Sequence, residues 1–234
     1  MTKSRDIANS TSTLDVDGGT IKLDGNYPVG TQNVALGDTA LDSVAADGNY
    51  NTAIGHASLT ANTTGDTNSA LGRESLLSNT TGSSNTAVGY TALLNNTTAS
   101  NSNNQILGYQ AGYTNTTGSN NLALGTGALF ANTTASDNTA VGCGVTAVAG
   151  GALVSNTTGT RNAAFGGGAA SSNTTGNYNT ALGTLALKSN TTAANNTAVG
   201  YRALRDNTTG SENAGLSDSA LMLNTTGNYN AAAG

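Results

Sequence analysis

The sequence predicts an all-β chain: a parallel β-solenoid, or β-roll, of about twelve 17-residue coils preceded by an N-terminal hairpin segment. Three observations predict it. One motif, Asn-x-Ala-aliphatic-Gly, recurs at a nearly constant interval from Asn33 onward. The apolar residues come in adjacent pairs five residues apart, with a glycine between the pairs. Large aliphatics are sparse: Leu, Ile, Val and Phe make up about 16% of the 234 residues, a proportion typical of disordered chains. Yet the net charge is only −5, with 9% charged residues, so the charge that accompanies disorder is missing. Regular repetition supplies the order instead, because stacked repeats share a thin continuous core.

Residues 1–32 lie outside the repeat. Leu14 and Val16 alternate with acids, Gly18-Gly19 follows, and Ile21 and Leu23 alternate with Thr20, Lys22 and Asp24. Two alternating runs around Gly-Gly read as a hairpin. The single proline, Pro28, marks the junction with the repeat. This segment serves either as an attachment module or as the cap that a solenoid end requires.

Residues 33–234 are the repeat. Its anchor falls at Asn33, Asn51, Asn68, Asn85, Asn104, Asn121, Asn138, Asn162, Asn179, Asn196, Asn213 and Asn230, with spacings of 18, 17, 17, 19, 17, 17, 24, 17, 17, 17 and 17. The longer spacings are local insertions, after Asn96 and between Gly142 and Asn156, and are expected as loops on one side of the stack. The last copy, Asn230–Gly234, stops five residues in, which suggests the N-terminal part of a longer shaft.

Within one period, illustrated by Asn85–Asn101, the reading is two short strands and two turns. Thr86-Ala87-Val88 is the first strand, and Gly89 the bend, where glycine tolerates positive φ. Tyr90-Thr91-Ala92-Leu93-Leu94 is the second strand, and Asn96-Thr97-Thr98 closes the coil. Helix is disfavoured by the recurrent glycine and by the Asn and Thr content. Neighbours in a strand face opposite ways, so both faces of each strand are apolar, which suggests a neighbouring chain as well as an interior. The Val88/Leu93 series is assigned to the interior and the Ala87/Ala92 series to a close interchain seam, with the reverse assignment of the two faces left open. Stacked coils about 4.8 Å apart would make a rod roughly 55 Å long. Asn at positions 1 and 12 of the period would form ladders, each amide bonding its copies above and below.

The motif Asn-x-Ala-aliphatic-Gly-x-x-Ala-Leu resembles the head repeats of trimeric autotransporter adhesins. It is closer to the NTALGYxAL…NTTG repeats of phage tail-fibre proteins, and Ser4–Asn9 (SRDIAN) is similar to the opening of marine-phage tail fibres. The adhesin heads have shorter coils than this 17-residue period. The resemblance implies a homotrimer, packed or intertwined, that serves as a structural component of a virion tail. Residues 1–32 would dock on the tail or baseplate, and sequence beyond residue 234 would meet the host surface. A bacterial surface adhesin is the alternative, and an ice-binding solenoid a third reading, because Thr recurs in register.

The residues offer little else. There is no basic stripe to neutralise phosphates, which argues against nucleic acid. MTKSRDIANS lacks an apolar signal core, and no apolar run is long enough for a membrane span; assembly in a host cytoplasm is expected, without membrane insertion. No catalytic, cofactor-binding or metal-ligating residue is assigned, no cofactor is implied, and an enzyme is the least supported class. His56 has no partners at ligand spacing. Cys143 stands alone, so no intrachain disulfide is possible, and it is expected buried or half-buried. Asn-Thr-Thr matches the glycosylation sequon at Asn62, Asn79, Asn96, Asn115, Asn132, Asn156, Asn173, Asn190, Asn207 and Asn224, and is read as a repeated turn.

Overall fold

The computed structural model describes residues 30–97, 102–143 and 150–234. They form one parallel sheet of twelve three-residue strands, from β1 (Val34–Leu36) to β12 (Ala231–Ala233), stacked in chain order. Each strand belongs to one coil, so the chain is a β-solenoid of eleven coils and the opening strand of a twelfth. Register is strict: Ala53 pairs with Ala70, Ala70 with Ala87, and Ala87 with Ile106. It survives both insertions, since Ala87 still faces Ile106 and Ala140 still faces Ala164. The proposed hairpin at residues 14–25 lies outside the described residues.

The first strand is where the sequence places it. Its three residues alternate outward, inward, outward, with the central alanine fully buried in Ala53, Ala87, Ala123 and Ala140. The anticipated second strand is not a strand. Residues 91–95 form a turn, with Thr91 at φ 52° and Leu93 at φ 51°. The same left-handed values recur at position 7 (Glu74, Gln110, Arg202), position 9 (Leu59, Leu129, Leu204) and position 17 (Thr67, Asn120, Glu212). Alternation of side chains holds only for extended backbone. With left-handed residues on either side of Ala92, both Ala92 and Leu93 turn inward, and each is fully buried.

The face assignment therefore changes. The interior holds the Ala87, Ala92 and Leu93 columns, whereas Val88 is only half-buried and its counterparts Leu71 and Leu124 are exposed. Ala87 and Ala92 form no interchain seam; they are the core. The coil is too flat for a leucine from both walls, so the interior takes two small residues and at most one large one per coil; coil 8 holds three alanines, Ala164, Ala169 and Ala170. Coil 5 keeps this volume by exchange. Ile106 stands at the alanine position and Gly112 at the leucine position, and a Cβ on Gly112 would lie 3.3 Å from the Ile106 Cδ1.

The bend glycines mark a backbone approach. At Gly125 φ is +127°, and an added Cβ would lie 2.8 Å from the carbonyl of Gly142 in the next coil. Successive bends thus stack backbone on backbone, with no room for a side chain.

Two asparagine ladders fill the other half of the cross-section. At position 1, the Asn179 Oδ1 accepts from the backbone N–H of Asn196 at 3.1 Å and from its Nδ2 at 3.3 Å. The Asn179 Nδ2 donates to the Asn162 Oδ1 at 3.2 Å and to the Ala193 carbonyl at 2.8 Å. At position 12, the Asn190 Nδ2 donates to the Asn173 Oδ1 at 2.8 Å and to the same Ala193 carbonyl at 3.0 Å. The position-15 carbonyl therefore ties both ladders together in each coil. Both ladders cross the longer insertion, through Asn162 to Asn138 and Asn156 to Asn132. Coil 1 departs from the pattern: the buried ladder site at position 12 is taken by Val44, and the second ladder begins at Asn62.

Two measurements check this packing. Gly112→Leu is expected to destabilise the chain by about 1–3 kcal/mol through overpacking against Ile106, and Ile106→Ala in the same chain to recover most of it in denaturant unfolding. Position 9 already accommodates leucine at the same backbone angle, so a double variant as unstable as the single one would refute the volume exchange. Asn179→Ala leaves the buried Asn196 N–H without its acceptor and is expected to cost about 2–4 kcal/mol. Asn179→Asp turns an ionised oxygen toward the Asn162 Oδ1 and the Ala193 carbonyl, so burial among acceptors raises the carboxyl pKa of the folded state. The folded chain then binds the extra proton, and the penalty is smallest below the usual Asp range and grows as pH rises through it. Unfolding curves at acid and neutral pH check the sign.

Candidate functional site

The outer surface carries the functional possibilities, because the interior is filled by the alanine and leucine columns and the asparagine ladders. Among the described residues no three His, Cys, Asp or Glu side chains gather in one place. His56 is exposed at position 6, with its Nε2 3.9 Å from the Asp38 carboxylate of the preceding coil. Cys143, also at position 6, is exposed rather than buried or half-buried. Position 6 follows the glycine bend, where the side chain leaves the wall of the coil, so a small residue gains no cover there.

The sequon asparagines are the position-12 ladder. Asn132 and Asn156 are buried. The Asn132 Nδ2, the atom that a glycan would occupy, donates to the Asn115 Oδ1 at 2.7 Å and the Ala135 carbonyl at 3.0 Å. Both of its hydrogens are engaged, so a glycan at this position is incompatible with the stack.

The threonines that follow diverge in role. At position 13 the hydroxyls bond to the next coil, as Thr63 Oγ1 does to the Thr80 carbonyl at 3.0 Å and Thr174 Oγ1 to the Thr191 carbonyl at 3.0 Å. At position 14, Thr64, Thr117 and Thr175 are exposed. Of each Thr-Thr pair in these coils, therefore, the second residue is the one that faces water.

Two apolar surfaces remain outside. One follows the outward position 4 of every strand. Leucine or phenylalanine there is 36–48% exposed in seven coils, from Leu36 to Leu216, and Ile54, Val88, Val141 and Val199 are half-buried. The other, at position 10, is confined to coils 3 to 7: Leu77, Leu94, Tyr113, Phe130 and Val154 are half-buried, and the Tyr113 and Phe130 rings stack at 5.2 Å. In the next three coils position 10 is polar, at Ser171, Lys188 and Arg205, and Met222 follows alone in coil 11.

Polar decoration is concentrated at the bends. Arg73 lies over the Tyr90 ring at 5.5 Å, and Tyr90 stacks on Tyr109 at 5.7 Å, so these rings face one another rather than offering a flat platform. The Arg205 guanidinium grips the Asp206 carboxylate through two 2.7 Å bonds. That hydrogen bond holds the Asp206 carboxyl below its ordinary range, against the opposing effect of burial, and raises Arg205 in turn.

The comparisons with known proteins give no identity. No family model, no curated protein and no solved structure matches the chain. What stands is the architecture: a parallel β-solenoid with 17-residue repeats and asparagine ladders.

The position-4 column was readable in the sequence and was assigned to the wrong side. The signal was its pairing with position 2, which carries no charge in any coil.

Expression through a glycosylating secretory pathway tests the ladder. Mass spectrometry of the folded, protease-resistant fraction should show Asn132 and Asn156 unmodified, with any glycosylated chains confined to the unfolded fraction. Glycans on these residues in the folded fraction would contradict the ladder geometry.

Proposed function

We propose that the chain is a structural component of a phage tail fibre, a stiff spacer that sets the distance between a virion tail and a host-binding tip. The observation that carries this reading is the unbroken register of the twelve-stranded sheet. Twelve strands at about 4.8 Å give a rod about 53 Å long. Each added coil lengthens it without altering its cross-section, which is what a spacer requires. The absence of a gathered set of acid, base or metal-ligating groups among the described residues is compatible with a role in spacing. Support also comes from the resemblance of the repeat and of Ser4–Asn9 to tail-fibre sequences.

In this reading residues 1–32 dock on the tail or baseplate, the chain assembles as a homotrimer in the host cytoplasm, and host contact belongs to sequence beyond residue 234. The alternative is the shaft of a bacterial surface adhesin, which would use the same rod on a cell rather than a virion.

Location separates the two. Antibody against the coils is expected to label tail fibres in electron micrographs of purified virions, and peptides from residues 33–234 to appear in virion digests. Label on the bacterial surface, with none on virions, would sink the tail-fibre reading and favour the adhesin.

A further inference from the structure

We infer that the turn side of coils 9 and 10 carries an anion site that takes a phosphate group, free or borne on a sugar. Lys188, Arg202 and Arg205 build it beside Tyr201.

Positive charge gathers here against the trend of the chain. The net charge is −5, and the described coils hold five Lys or Arg residues: Arg73, Arg161, Lys188, Arg202 and Arg205. Three of the five stand in two adjacent coils. The backbone brings them together. The Arg205 N–H donates to the Arg202 carbonyl at 3.1 Å across the turn, and the N–H of Ser189, next to Lys188, donates to the Arg205 carbonyl at 2.9 Å. Lys188 and Arg205 share position 10, so like charges are stacked one coil apart. Where Asp137 and Arg161 stack at position 17, the signs are opposite and the groups pair at 3.6 Å. Like charges directly opposite repel, and an anion between them reverses the sign of that contact.

Pairing decides which cations are free. Arg73 holds Glu74 at 2.9 Å, and Arg161 holds Asp137. The Asp206 carboxylate takes both of its short bonds from Arg205. Among the described residues, Lys188 and Arg202 form no ion pair. Lys188 is nonetheless close: behind the Arg205 hydrogen bond that holds the Asp206 carboxyl low, the field of Lys188 adds to the same effect. Asp218 in the next coil accepts from the Ser219 hydroxyl at 2.7 Å and pairs with none of the three cations. Three cations set against one paired carboxylate leave two positive charges uncompensated.

Arg202 is held in place rather than loose. Its guanidinium lies over the Tyr201 ring at 4.7 Å, and its Nε is enclosed without an acceptor. A guanidinium is a planar set of donors with no acceptor of its own. Fixed by a ring and left without a carboxylate, it is the form that recognises an oxyanion. Two uncompensated charges match a phosphate, which carries close to two negative charges and three acceptor oxygens. Tyr201 is 44% exposed, so the place is open to a phosphate attached to a larger body.

Calorimetric titration of the full chain with inorganic phosphate, at low ionic strength and mildly alkaline pH, tests the site. The unaltered protein is expected to bind one phosphate per chain and to melt higher in its presence. Lys188→Gln combined with Arg202→Gln is expected to weaken binding about tenfold or more, with unchanged melting in phosphate-free buffer. Arg73→Gln combined with Arg161→Gln removes the same charge elsewhere and is expected to leave binding unaltered. Lys188→Arg keeps the charge and is expected to retain binding. No saturable binding by the unaltered protein, equal loss in the two double variants, loss in Lys188→Arg, or the same rise in melting temperature from sodium chloride at matched ionic strength overturns the site. Glucose 6-phosphate and glucose, titrated alongside, distinguish the sources. Tighter binding of the phosphosugar than of phosphate marks a sugar-borne group as the ligand, and equal or weaker binding marks free phosphate; either keeps the site. Glucose binding as well as its phosphate overturns it, because charge is then not what is read. Virion location decides the tail-fibre reading and phosphate titration this one, so either can fail without the other.

Discussion

Everything in this solenoid hangs on one arrangement, the backbone carbonyl at position 15 that accepts an amide hydrogen from each of two asparagines. In coil 9 the Ala193 carbonyl takes both Asn179 and Asn190. Each of those asparagines also reaches its copy in the preceding coil. A buried amide needs its donors and acceptors satisfied, and here each coil satisfies the next. The requirement enforces the period. An extra residue between ladder contacts would throw an asparagine out of register and leave buried groups unpaired. Insertions are therefore placed where no ladder residue follows at once: after Thr97, and between Cys143 and Ala152. The one extra residue in coil 1 falls beside Val44, where the second ladder has not begun.

The ladders also explain how so few aliphatics suffice. A coil of seventeen residues encloses a thin space. Its strand side is lined by one alanine, its turn side by an alanine and a leucine, and the rest by the amides. The polar half of the core is held by directional bonds, so it needs close fit rather than apolar volume. The exchange of Ile106 for Gly112 shows how tightly the apolar half is filled, because the large residue can change walls but the total cannot grow.

Much of this was legible in the sequence. The period, the first strand, the bend glycines and both asparagine ladders follow from spacing and residue type. The second strand did not, and the reason is physical. Leucine in left-handed backbone carries a steric cost, so Leu59, Leu93 and Leu204 at φ 51° are not what an apolar pair between polar residues suggests. Strand alternation then sent Ala92 and Leu93 to opposite faces, whereas the turn brings both inward. The same rule was correct for Ala87 and Val88, which do face opposite ways, but the larger residue was placed inside. Size was the wrong criterion. The coil's thickness decides, and it admits the alanine.

That misplacement isolates what the interior cannot account for. The charged residues of the coils lie at the bends and turns, at positions 6, 7, 10, 11, 16 and 17, as in Arg73, Glu74, Lys188, Asp206, Asp66 and Glu212, and at Asp47 just before position 15 of coil 1. None stands on the strands, although the outward strand positions are open to water in Ser69, Leu71, Thr180 and Leu182. Backbone pairing does not impose this, since a ladder of parallel strands is indifferent to what its outward side chains carry once their neighbours above and below are accommodated. Like charges stacked every 4.8 Å would repel, but the isolated acids and bases at the bends show that single charges are accepted elsewhere in the same stack. The sheet face is uncharged and centred on leucine along its length, a chemistry that the packing of the coil itself does not require.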